Sequence, residues 1–258
     1  MTLARTSNFE LRTSNFRTPA GFFVMVAAFL LTTAGEARAQ WFTAVYIGAN
    51  HTHAASVAID RPADGVALEY RDVEFAARPF ESPQYYGLRF GRWFGSSRRI
   101  GLEVEFIHLK AYGQTGRQYE IAGDAGSFDP LVQPPAPMSA LVSRYAMSHG
   151  LNLLLINVGL RTPLNESPVT IVARGGAGPA LPHGESTIAG ESREQYEYGG
   201  LGVHGAGGVE VRLHSRISAV VEYKITYARP EITIAGGTGR TSALTHHLAF
   251  GLAFGLSR

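Results

Sequence analysis

From Leu248 to Leu256 every second residue is large and apolar, while the residues between are Ala249, Gly251, Ala253 and Gly255. Alternation with period two predicts a strand, here with one greasy face and one nearly bare face. The same rhythm recurs along the chain with turn residues between, and past residue 40 no apolar stripe keeps helical spacing for long. The expected strands are Phe42–His51, Tyr85–Phe94, Ile100–Ala111, Ser148–Arg161, Val169–Leu181, Gly199–Leu213, Ile217–Ile234 and Leu244–Leu256.

The connections alternate in length, with short ones at "GSSRR", "TPLNESP" and "HS" and longer ones between them. That rhythm belongs to an up-and-down barrel in an outer membrane, with short periplasmic turns and long external loops. Within the first long connection, "SVAIDRPADGVALEYRDVEF" alternates around "ADG" and predicts a hairpin standing beyond the membrane. The predicted fold is therefore all-β: a closed antiparallel transmembrane barrel of about eight strands. In lipid every backbone polar group must be paired internally, which a closed barrel achieves. The large residues would face lipid, and Gly and Ala would suit a narrow lumen filled by side chains.

The same parity sorts the charges. With Leu102, Val104 and Phe106 facing lipid, Glu103 and Glu105 point inward, and with Val221, Tyr223 and Ile225 outside, Glu222 and Lys224 point inward. Arg89, Arg174, Glu210 and Arg212 join them, so four acids and four bases share a confined space. Unpaired charge there would be costly, so a salt-bridged plug is expected.

Composition narrows the classes. Residues 1–39 carry Arg5, Arg12 and Arg17, then the apolar "GFFVMVAAFLLTTAG" and the small-residue site "ARA", the pattern of a cleaved signal peptide. The barrel domain is then 40–258. Removing the leader's four basic and two acidic residues from totals of 23 and 21 leaves 19 of each sign, too balanced for an electrostatic nucleic-acid binder. The absence of cysteine excludes disulfides and thiolate metal sites. No nucleophile elbow is present, and the glycines of "GGLGVHGAGG" lack the strand-to-helix setting of a dinucleotide loop, so neither flavin nor NAD is expected.

Nine histidines remain. With both termini periplasmic, His51, His53, His108, His149, His183, His246 and His247 fall near the external rim, His204 lies deeper and His214 sits at a periplasmic turn. Imidazoles with carboxylates such as Glu185, Glu105, Glu69, Asp72 and Glu74 could bind a divalent metal. Alternation turns His247 inward and His246 outward; His149 is ambiguous, because "HGLNLLLIN" is apolar on both faces.

The segments "SPQYYGLRFGRWF", "GLEVEFIHLKAYG", "SHGLN", "GAGPALPHGES", "VEYKITYA" and "THHLAFGL" together resemble the small outer-membrane barrels of the OmpA-like superfamily. More narrowly they resemble the lipid A oxidase family, associated with converting the proximal glucosamine of lipid A to 2-aminogluconate. The resemblance implies outer-leaflet lipid as partner, His149 and His247 as catalytic groups, and His108, His183, Glu185 and His246 as ligands of a redox metal, iron being the natural choice without an organic cofactor. Lys110 and Asn152 would contact the lipid's phosphate or sugar. A monomer is expected, delivered by the barrel assembly machinery, with Phe254 standing in for the terminal aromatic that "FGLSR" lacks. A structural or adhesive barrel without enzymatic activity is the alternative, and a narrow porin a third reading.

Overall fold

The alternating runs become fifteen strands among the described residues, which in this computed structural model are 40–133 and 135–256; the expected leader lies outside them. In chain order they are β1 (Gln40–Thr52), β2 (Ala55–Arg61), β3 (Val66–Val73), β4 (Phe75–Ala76), β5 (Tyr86–Phe94), β6 (Ile100–Gly113), β7 (Ile121–Asp124) and β8 (Val142–Pro163). Then follow β9 (Val169–Ile188), β10 (Glu191–Tyr196), β11 (Leu201–His214), β12 (Ile217–Ala228), β13 (Glu231–Ile234), β14 (Gly237–Thr241) and β15 (Ala243–Gly255). Eight of them close a barrel in the order β1, β5, β6, β8, β9, β11, β12, β15 and back to β1, every neighbouring pair antiparallel. The expected barrel strands are all present. The seventh, expected to run unbroken to Ile234, divides at Arg229 and Pro230 into β12 and β13, where the proline has no N–H to continue the ladder.

The outer face carries an apolar belt. Val45, Ile47, Leu88, Phe90, Val158, Ile171, Val203, Val221, Leu248 and Phe250 are all exposed. Exposure of so many large apolar side chains in one band is tolerable where lipid, not water, covers them. The opposite parity turns Ala44, Tyr46, Arg89, Glu103, Glu105, Arg174, Glu222 and Ala249 into the buried interior. Glycine makes room for the larger inward groups: a Cβ on Gly87 would lie 2.0 Å from the Tyr46 ring.

Above the belt, β8 and β9 extend well past their neighbours and carry β10 as an edge strand. Three separate connections build a second sheet here, in the order β13, β14, β2, β3, β7. The hairpin read from "ADG" is β2 and β3, turning through Pro62–Asp64 with Gly65 left-handed at φ 70°. Sequence did not foretell that the loops would pair with one another. Val57, Ile59, Leu68, Tyr70, Ile232 and Ile234 of this cap pack in one continuous core with Ile107, Leu109, Leu151 and Leu153 of the upper barrel wall. The long-loop end of the lumen is thus sealed by a hydrophobic core.

Candidate functional site

Inside the barrel the charges form one network. Arg89 reaches Glu105 at 2.8 Å, Glu222 at 2.7 Å and Glu103 at 3.1 Å. Arg174 pairs with Glu103 at 3.2 Å, Glu210 at 2.8 Å and Glu222. Lys224 bridges Glu105 and Glu222 at 2.6 and 3.1 Å. Neutral groups complete the shell: the Tyr46 hydroxyl donates to Glu105 at 2.6 Å, and Asn157 Nδ2 donates to Glu105 at 2.7 Å and Glu103 at 3.1 Å. That fixes the Asn157 amide, whose Oδ1 accepts from His204 Nε2 at 2.8 Å. The pairing accounts for seven of the eight expected charges. Arg212 stands apart, because at the short-turn end of β11 its side chain is exposed. Tyr46 and Asn157 were missed by a search for charge alone, although both sit on inward parity.

The expected rim histidines divide into three places. His247 faces inward as alternation required, buried against Tyr85 with ring centroids 5.4 Å apart, its Nε2 2.9 Å from Thr226 Oγ1. His246 faces outward with His51 and His53, centroids of neighbouring rings 4.8 and 5.2 Å apart, beside the Tyr223 hydroxyl. His108, His149 and His183 lie on the outer face across β6, β8 and β9. In barrel order β8 and β15 are four strands apart, so His149 and His247 do not meet. For the same reason His246 cannot join His108 and His183. Among the described residues no three histidines, aspartates or glutamates converge as metal ligands.

The third group is an outward-facing polar ledge at the upper edge of the apolar belt. Tyr86, His108, Asn152 and Leu181 stand in register across β5, β6, β8 and β9. Asn152 Nδ2 donates to the Leu181 carbonyl at 3.2 Å, which can only accept, so Oδ1 must face His108 Nδ1 at 2.8 Å. The Nδ1–H therefore donates, and Nε2 keeps its lone pair without a partner. Tyr86 stacks on the same ring at 5.0 Å and holds its plane. Alongside, His183 packs edge-on against His149 at 4.7 Å and Tyr196 at 4.5 Å.

A bulge in β8 makes this arrangement possible and resolves the ambiguous parity of His149. Pairing with β9 shifts between Met147 and Leu151, and Gly150 takes φ 112°, so His149 turns outward and is exposed. A Cβ on Gly150 would lie 2.6 Å from both Asn152 Oδ1 and His108 Nδ1. Gly150→Ala is expected to break the His108–Asn152 bond and destabilise the fold by about 1–3 kcal/mol, from left-handed strain plus the clash. Imidazole 15N shifts of His108 would show the loss as a change of tautomer ratio.

Above the ledge lies a shallow cavity of about 210 Å3 whose walls include Arg78, Tyr112 and Arg144. Arg78 lies 4.5 Å over the Tyr112 ring. Arg144 holds Glu185 in a two-point ion pair, with Nη2 to Oε2 at 2.8 Å. Partial burial works against the charged form of Glu185, but hydrogen bonds from Arg144 and Ser148 outweigh it and keep the carboxyl below its usual range. Glu185 is thus committed to a cation and is not poised as a metal ligand. Lys110, expected at the lipid, is buried with its ammonium donating to the Glu81 carbonyl at 2.9 Å.

No protein-family model and no curated protein matches the chain. Solved structures with a similar course include Neisserial surface protein A, at 9% identity and TM-score 0.39, covering 84% of this chain and 97% of that one. The Yersinia pestis attachment invasion locus protein Ail is similar at 12% identity and TM-score 0.34, with 84% and 98% covered. The Escherichia coli outer membrane protease OmpT is similar at 6% identity and TM-score 0.42, with 84% and 97% covered. The barrel itself rests on the strand pairing of this chain.

Proposed function

We propose that this protein is an outer-membrane barrel that holds the phosphosugar headgroup of an outer-leaflet lipid, lipid A in chemical class, against its outer wall. The observation that carries this reading is the position of the ledge: His108, Asn152, His149 and His183 face outward just above the belt, at the level a headgroup occupies when its acyl chains lie on Phe106, Leu154 and Leu181. Arg78 and Arg144 flank the cavity above them and suit a phosphate, while the Asn152, Tyr86 and imidazole groups suit sugar hydroxyls. His149 is the exposed imidazole of the ledge, whereas His108 Nε2 is buried.

Oxidation of the lipid, as the resemblance implies, would need a redox metal, and the donor set does not fit one. Glu185 is held by Arg144, His246 lies across the barrel, and among the described residues no three donors converge. We therefore assign the ledge to binding and orienting the headgroup.

The test is lipid retention. Protein in phosphatidylcholine nanodiscs doped with lipid A is expected to keep lipid A through purification, and Arg78→Gln with Arg144→Gln is expected to lower its occupancy about ten-fold, the effect of losing one to two charge-assisted bonds. Lipid A mass spectra from expressing cells test for chemistry: an added oxygen that disappears with His108→Ala or His149→Ala would restore the oxidase reading. The paired interior and the cap of interlocked loops favour a structural or adhesive barrel as second reading, and equal retention of both lipids would move the assignment there.

A further inference from the structure

At the opposite end, the mouth framed by the short turns holds a cavity of about 280 Å3, close to the lower limit for a small-molecule pocket. Four arginines line it: Arg98, Arg161, Arg212 and Arg216. Glu210 is the single acid among the described lining residues, and it is committed to Arg174 at 2.8 Å. The plug above is close to balanced, with Glu103, Glu105, Glu210 and Glu222 facing Arg89, Arg174 and Lys224. Even if one arginine of the mouth offsets the remaining negative charge, three cations are left in one confined space.

We propose that this mouth is a binding site for a small multivalent oxyanion, one bearing carboxylate or phosphate groups. Two of its cations, Arg161 and Arg98, are held in place rather than swinging in solvent. The Arg161 guanidinium lies 4.5 Å over the Trp93 ring and donates to the Arg98 carbonyl and, at 3.2 Å, to Gln40 Oε1. Arg98 donates to the same Gln40 oxygen at 3.3 Å, so two guanidiniums share one neutral acceptor. Two cations converging on an amide oxygen repel each other, and an anion between them relieves that repulsion while gaining planar, two-point hydrogen bonds. Arg161 shares inward parity with Asn157, and Arg212 with Glu210, so both address the mouth rather than the lipid face. Arg98 and Arg216 lie in the turns beside it and close the ring. This site is independent of the ledge, which lies at the other end of the barrel.

The experiment is calorimetric titration of the full chain in a neutral detergent at low salt, with inorganic pyrophosphate and citrate as separate probes. Saturable binding of at least one is expected; the stronger probe identifies phosphate or carboxylate as the preferred group. Arg161→Gln and, separately, the exposed Arg212→Gln are each expected to weaken binding by about ten-fold, and Arg240→Gln on the cap is expected to leave it unchanged. Arg212→Gln keeps the test valid if Arg161→Gln fails to fold. The absence of saturable heat with either probe, or binding that Arg212→Gln and Arg240→Gln alter alike, overturns the proposal.

Discussion

Replacing Arg89 by methionine is expected to cost the barrel about 3–5 kcal/mol, the penalty for removing one partner from a buried ionic cluster. Arg89 is the common partner of Glu103, Glu105 and Glu222, each almost inaccessible to solvent. Without it, three carboxylates face each other with Lys224 and Arg174 as the remaining cations of the network, and methionine offers no donor to the orphaned oxygens. Urea unfolding of protein folded into lipid vesicles, followed by tryptophan fluorescence, measures the loss. Adding Glu222→Gln to Arg89→Met is expected to recover part of it, since one of the stranded charges disappears. A loss below about 1 kcal/mol would mean that water reaches the cluster and screens it, as at an exposed pair.

The second large effect is expected on the other side of the wall. Phe250 lies in register with Ile47 on β1 and Val221 on β12, all three exposed and apolar. Phe250→Arg is expected to destabilise the vesicle-folded protein by about 2–4 kcal/mol, the cost of a cation on the lipid face near the bilayer midplane. The same substitution at the exposed Ala67, on the cap strand β3, is the reference and is expected to change stability little. If Phe250→Arg is as mild as Ala67→Arg, the belt is not immersed in lipid and the membrane reading fails.

Most of the barrel was legible from the chain because its two faces obey one local rule. An inward side chain and its neighbour two residues on share a face, so Leu248 to Leu256, or Leu102 to Phe106 with Glu103 and Glu105, declare inside and outside without knowledge of any partner strand. The ionic network followed from the same parity, and seven of its eight expected members are in it. Arg212 was misjudged because parity gives the face but not the depth: near the end of β11 an inward residue meets solvent. Asn157 and Tyr46 went unnoticed because a neutral amide or phenol becomes part of an ionic cluster only when carboxylates arrive from other strands.

The candidate site was legible only as a set of residue types. Seven histidines near one rim suggested a ring, yet the strand order sets β8 and β15 on opposite walls, and the wall itself separates His247 from His246. No local pattern carries that information, since angular position around a barrel depends on the closed order of all strands. The bulge at Gly150 is a similar case: its φ of 112° and the turn it gives His149 depend on how β8 pairs with β9.

What the sequence by itself determined is the number of barrel strands, the two faces of each, the short and long ends, and the presence of acids and bases together inside. These are local properties, set by residue alternation and turn chemistry. What only the tertiary structure decided is which residues meet: the cap sheet assembled from three loops, the fixed tautomer of His108 opposite Asn152, the commitment of Glu185 to Arg144, and the surplus of arginines at the short-turn mouth. Each depends on pairing between distant segments, whose free energy comes from burying and hydrogen-bonding groups that the chain keeps far apart.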